Sequence, residues 1–175
     1  MTERSLNPET PRGDDGAYPL RRPTSSVPEL RSAPVCGVRL LVVEDDPDQQ
    51  ELIVETLEEH FGGGCTDAVY TCGDALQKPL NKYDLILTDY NLPDGNGVDL
   101  LGKIKACTNA PVMLLTGEND TRTAKEAMRR GATDYVVKAG EYLLTMPLIV
   151  EKNLAAARMA SERALAEQQA QQAMQ

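Results

Sequence analysis

Acidic, hydroxyl and amine side chains that could handle a phosphoryl group fall in four places: Glu44-Asp45-Asp46, Asp89, Thr116 and Lys138. Each follows a short run rich in Val, Leu or Ile, at residues 40–43, 85–88, 112–115 and 135–137. Continuous apolar runs of that length between turn signals predict buried parallel strands. Ligands of an open parallel sheet gather at the carboxyl ends of its strands. Groups far apart in sequence are therefore expected to meet at one edge. Glu44, Asp45 and Asp89 would form a hard, oxygen-rich pocket suited to Mg²⁺. An Asp carboxylate beside such an ion can act as a nucleophile on phosphorus, because metal and lysine neutralise the transferring group. Thr116 would donate a hydrogen bond to a phosphoryl oxygen, and Gly117 would leave room for approach and offer its backbone N–H. Lys138 would supply a compact positive charge. No one of these residues is specific, since an Asp after a strand usually caps a helix and a lone Lys is usually solvated. Their order, each at a strand end, is what carries meaning.

The elements that must position them alternate strand and helix from Val38 onward. Strands are expected at 39–43, 67–71, 84–88, 111–115 and 133–137, the second being the weakest. Asp46 can cap a first helix, with Pro47 in its first turn, where a missing N–H costs nothing. Leu52, Ile53, Leu57 and Phe61 give that helix an apolar face, and Gly62-Gly63-Gly64 ends it. Further helices are expected at 73 to about 81, at 98–106 and at 119–130, with 91–97 a loop dense in turn residues. Alternation of this kind predicts a parallel sheet covered on both faces. Right-handed crossovers leave few topologies, and the doubly wound, flavodoxin-like order 2-1-3-4-5 is the expected α/β fold.

Both ends of the chain depart from the pattern. Residues 1–35 contain six prolines and no apolar periodicity, and are expected to form a disordered tail. A compact domain is expected over 36–155. The segment from about Glu141 starts with Leu143, Leu144, Met146, Leu148, Ile149 and Leu154, enough for one helix face. It then runs into Ala, Glu, Gln and Arg, which favour helix. Its heptad seam is poor, so the extension at 156–175 is either an exposed signalling or dimerising helix, or a frayed solvated tail.

The 175-residue chain carries a formal net charge of −9, with 4% aromatic residues and no Trp. An acidic surface opposes binding to nucleic acid or anionic membranes, which need clustered Lys and Arg. No run reaches the ~18 apolar residues of a membrane span, and no secretory h-region opens the chain. Cys36, Cys65, Cys72 and Cys107 form no Cys-x-x-Cys pair, which fits reduced, mostly buried thiols and a cytoplasmic protein. His60, the single histidine, is expected to be an ordinary helix-end residue.

The strings Leu41-Val42-Val43-Glu44-Asp45-Asp46-Pro47, Asp84-Leu85-Ile86-Leu87-Thr88-Asp89-Tyr90-Asn91-Leu92-Pro93-Asp94-Gly95, Leu114-Leu115-Thr116-Gly117 and Asp134-Tyr135-Val136-Val137-Lys138 resemble the receiver domain of bacterial two-component response regulators. The resemblance covers roughly residues 38–155. It implies that Asp89 is the phosphoacceptor, that Glu44 and Asp45 are the acidic metal pair, and that Asn91 gives Mg²⁺ its backbone carbonyl. Thr116 and Tyr135 match the switch hydroxyl and switch aromatic, and Lys138 the phosphate-binding lysine. A sensor histidine kinase or a phosphotransfer protein would be the donor, and a downstream protein the target. Such a chain is a switch that catalyses its own aspartyl phosphorylation and dephosphorylation, not an enzyme acting on others. One departure stands out: receivers commonly place Pro after the lysine, with a cis peptide, and here Ala139-Gly140 follows. A non-proline cis bond costs roughly 2.5–4 kcal/mol, so the Lys138–Ala139 bond is expected trans, with Gly140 supplying the freedom the loop needs.

Two other readings compete. A haloacid-dehalogenase-like phosphatase also uses Asp, Thr, Lys and Mg²⁺, and Asp46-Pro47-Asp48 mimics its Asp-x-Asp motif. That family, however, sets its lysine third and a second acidic pair last, the reverse of the order here. The other is a receiver-like binding module that is never phosphorylated.

Overall fold

The computed structural model describes residues 37–117 and 121–175. The tail expected at 1–35, Cys36, and Asn119 at the expected start of a helix lie outside the described residues.

Five strands, β1 (Leu40–Val43), β2 (Thr66–Val69), β3 (Leu85–Asp89), β4 (Val112–Thr116) and β5 (Asp134–Val137), form one sheet in the order 2-1-3-4-5. Every neighbouring pair is parallel. The apolar runs are continuous because both faces are covered. Leu41, Val43, Ile86 and Leu114 share one cluster with Leu101 and Ile104 of α3 (Gly97–Cys107). Leu40, Val42, Leu87 and Met113 share the other with Ile53 and Leu57 of α1 (Pro47–Phe61) and Val150 of α5 (Tyr142–Ala173). α2 (Cys72–Gln77) and α4 (Thr121–Arg129) complete the layers.

Helix signals act as chemistry requires. Asp46 Oδ1 accepts hydrogen bonds from the N–H groups of Asp48 (3.0 Å) and Gln49 (3.1 Å), and Gly62 closes α1 at φ 112°. α2 is shorter than expected. Thr71 caps it, and it ends at Gln77 because Pro79 drives Lys78 into extended backbone (ψ 153°); a separate 3₁₀ turn, Leu80–Lys82, follows. Within the expected loop, Asn91–Leu92 pairs antiparallel with Gly95–Asn96 as a small hairpin.

Two expected apolar faces are corrected. Leu52 is 44% exposed, since α1 turns Ile53 and Leu57 inward and a neighbour lies 100° around the helix. On α5 the inward residues are Met146, Val150 and Leu154, spaced four apart, while Leu144 (71%) and Leu148 (61%) point to solvent. The helix also passes through buried Pro147, which cannot donate to the Leu143 carbonyl. At 32 residues α5 is about 48 Å long, and residues 158–175 are exposed. Among the described residues no helix is long and apolar enough to cross a membrane.

Gly97 opens α3 where it crosses under the end of β3, its N–H donating to the Tyr90 carbonyl at 2.8 Å. A Cβ there would collide with the Asp89 carbonyl oxygen and lie 2.8 Å from Leu114 Cδ1. Gly97→Ala is therefore expected to cost about 1–3 kcal/mol, lowering the melting temperature by several degrees in calorimetry. An unchanged melting temperature would contradict the close crossing.

Candidate functional site

The register of the two central strands builds the acidic end. Val43 sits opposite Thr88, so Glu44, just past β1, comes beside Asp89, the last residue of β3. Ligand oxygens of Glu44, Asp45 and Asp89 all lie within 4.8 Å of one another. Glu44 and Asp89 are buried and Asp45 is exposed. Gln50, turned inward on α1, donates its amide to the Glu44 carbonyl at 3.0 Å and the Val69 carbonyl at 2.9 Å, fixing the end of β1. Gln50 was not singled out from sequence, although its spacing to Ile53 and Leu57 marks it as an inward position.

Lys138 follows β5, and its N–H donates to the Thr116 carbonyl at 2.7 Å. Its ammonium lies 2.5 Å from Glu44 Oε2 and 2.9 Å from Asp89 Oδ1. The Lys138–Ala139 peptide is trans, as expected, and Gly140 takes φ 54°. The lysine reaches the acidic pocket without a following proline.

Charge at the site does not balance. Burial pushes the Glu44 carboxyl above its ordinary range and Asp89 adds to the effect, while Lys138 opposes it. For Lys138, burial favours the neutral amine, but hydrogen bonds to Glu44 and Asp89 overcome it and hold the ammonium above its usual pKa. Three carboxylates against one ammonium leave an excess of negative charge. That donor set, all hard oxygen and under-neutralised, fits a small divalent cation.

The remaining expected residues lie around this centre. Thr116, only 1% exposed, ends β4, the strand next to β3. Gly117 follows it at the surface. Asn91 opens the hairpin two residues beyond Asp89 and is exposed. Tyr135 is not drawn inward: it pairs with Leu114 and is 39% exposed, beside Val137 and Thr145 on an open surface recess. It is not a core aromatic in this state. In the Asp46-Pro47-Asp48 string, Asp46 caps α1 through Oδ1.

A contact that sequence reasoning missed holds the hairpin. The Asp94 carboxylate accepts the N–H groups of Cys72 and Gly73, each at 2.8 Å, and these bonds hold its carboxyl below the usual carboxylate range. Only the Asp-Gly pairing within a turn hinted at it. Cys72 and Cys65 are buried, and burial, with Asp94 nearby, pushes the Cys72 thiol up to about 11. Cys107 is exposed. His60 packs edge-on against Phe61 and lies 3.4 Å from Glu151, an ordinary helix-end arrangement.

Comparison with known proteins agrees with this geometry. Residues 40–144 match the response regulator receiver domain family, and the chain belongs to it. The chain is 32% identical over 108 residues to a two-component response regulator, ORR26, of Oryza sativa subsp. japonica, covering 58% of this chain and 18% of that protein. It is 32% identical over 155 residues to the methanogenesis regulatory protein FilR1 of Methanothrix harundinacea, covering 81% of this chain and 34% of that one. It therefore spans between about a fifth and a third of these relatives' lengths. A crystal structure of a two-component response regulator from Clostridium difficile superimposes with a TM-score of 0.61 at 31% identity, covering 67% of this chain and 96% of that one.

Lys138→Met would leave the buried Glu44 carboxylate without its ammonium. Glu44 is already raised, so its stabilising contribution is full at low pH and fades as pH rises through its folded value. Without Lys138 that value lies higher still, so the variant's deficit should grow as pH rises above the ordinary carboxylate range. It should reach roughly 1–3 kcal/mol in denaturant melts there. A deficit independent of pH would contradict this pairing.

Proposed function

We propose that the chain is a phosphorylation switch whose acceptor is Asp89. What supports this most is the reach of one ammonium to both Glu44 and Asp89 inside a carboxylate cluster. The donor is a sensor histidine kinase or a histidine phosphotransfer protein. The phosphorus–nitrogen bond of a phosphohistidine breaks, its electron pair returning to the ring, as an Asp89 oxygen bonds to phosphorus. Glu44, Asp45, Asp89 and the backbone carbonyl of Asn91 would hold Mg²⁺, which when bound neutralises charge on the phosphoryl oxygens. Lys138 then turns its ammonium to the phosphoryl group, with the Thr116 hydroxyl and the Gly117 N–H as further donors. Water later hydrolyses the acyl phosphate, so the chain regulates and is not an enzyme acting on other substrates.

The new group carries about −1.5 to −2 charge. Thr116 moving toward it would open space for Tyr135 to turn inward from its exposed position, changing the surface of α4, β5 and α5. In this reading residues 1–35 are a tail, 36–155 the receiver, and 156–175 an extension of α5 that signals to a downstream protein or pairs two copies. The net charge of −9 argues against nucleic acid or membrane as partner. Cys65 and Cys72, buried as thiols, favour a reducing, cytoplasmic setting.

Incubation with acetyl phosphate and Mg²⁺ should add one phosphoryl mass, mapped to Asp89, and Asp89→Asn should abolish it. Label persisting in that variant would refute the assignment, and an unlabelled parent chain would favour the non-phosphorylated module instead. Mg²⁺ alone should raise the melting temperature, by an amount equivalent to about 2.7 kcal/mol at a hundredfold excess over Kd. Asp45→Asn and Glu44→Gln should shrink that rise, and an undiminished rise would place the ion elsewhere.

A further inference from the structure

The lysine is presented by a loop with little of its own to hold it. After Lys138 come Ala139 and Gly140, two residues with no long side chain to pack, the second in left-handed backbone at φ 54°. Glycine has the largest conformational freedom to lose on ordering. The next helix begins without help, for its N-cap, Glu141, makes no side-chain capping bond. On the strand side the loop is fastened by the Lys138 N–H to the Thr116 carbonyl and the Ala139 N–H to the Val137 carbonyl. Tyr142 makes a fastening on the helix side: its hydroxyl donates to Gln49 Oε1 at 2.6 Å.

Gln49 lies in the first turn of α1, its N–H tied to the Asp46 carboxylate directly after the acidic pair. Two bonds therefore span the gap between the acidic loop and the lysine loop. One is the ammonium of Lys138 on Glu44, the other the phenol of Tyr142 on Gln49. The Tyr142 ring is half-buried, near enough to Lys138, Glu44, Asp89 and Asp46 to feel all four charges. When the ammonium leaves Glu44 for a phosphoryl group, the first bond is lost and the second remains.

We infer that Tyr142 and Gln49 are positioning residues: their hydrogen bond holds the Ala139-Gly140 loop so that Lys138 keeps its reach to Asp89. This rests on Asp89 being the phosphoacceptor. Neither residue touches the reacting atoms. They act by reducing the number of loop conformations in which the ammonium points away from the site.

Tyr142→Phe removes the hydroxyl and keeps the ring, and Gln49→Leu removes the acceptor from the other side. In the full chain, each is expected to slow phosphorylation by acetyl phosphate and Mg²⁺ about fivefold, the size of one lost neutral hydrogen bond. Combining the two should cost no more than either alone. In a Lys138→Ala background neither should matter, since the two act through that ammonium. Without metal or phosphodonor, amide exchange should quicken at Lys138 and Ala139 in both variants and stay unchanged at Leu87 and Met113. Normal rates in both variants overturn the inference, and so do losses that add to that of Lys138→Ala or exchange that quickens throughout the core. A parent chain that takes up no phosphate removes the reading beneath it; a parent labelled at Asp89 with unaffected variants removes this inference alone.

Discussion

One ammonium against two partly desolvated carboxylates is the interaction on which the functional end depends. Parallel pairing of β1 and β3 in fixed register places Glu44 and Asp89 together whether or not their charges favour it. At about 4 Å and an effective dielectric near 20, two like charges repel by about 4 kcal/mol, comparable with a domain's whole margin of stability. Lys138 bridges them and offsets that repulsion. Its approach from β5 requires two further strand crossings, so the sheet order and the charge balance constrain each other. The balance is incomplete, since three carboxylates face one ammonium, and burial together with nearby Asp89 keeps the Glu44 carboxyl raised.

That imbalance connects stability to signalling. A site that needs more positive charge favours a divalent ion, and in the proposed function an ion there would lower the barrier to bringing a phosphoryl anion against Asp89. The proposed phosphoryl group would in turn compete with Glu44 for the same lysine. Tyr135 is exposed rather than locked into the core, while Thr116, on the adjacent strand, is buried, and the proposed switch would use that difference. A second, inward position of that ring would make it the two-state element the proposed switch requires.

Most of the architecture was legible from the apolar runs, because a strand buried on both faces leaves an unbroken signature. Glu44, Asp45, Asp89, Thr116 and Lys138 could be placed at one edge for the same reason: strand ends share an edge in a parallel sheet. Element boundaries were less legible. Pro79 ended α2 sooner than expected, and Leu52, Leu144 and Leu148 turned out to solvent because an apolar residue beside an inward one need not share its face. Gln50 and Asp94 left only faint signals, a helical spacing and an Asp-Gly turn, and the Gly97 crossing and the Tyr142–Gln49 bond left none. Each has a partner remote in sequence, Val69, Cys72, Leu114 and Gln49 respectively, which no local pattern records.

The most direct test uses crystals of the full chain soaked in Mn²⁺, with anomalous scattering to locate the ion. The account predicts a peak among oxygens of Glu44, Asp45 and Asp89 and the Asn91 carbonyl, with Lys138 still within hydrogen-bonding distance of Asp89. A peak remote from Asp89, or none at millimolar Mn²⁺, would contradict it.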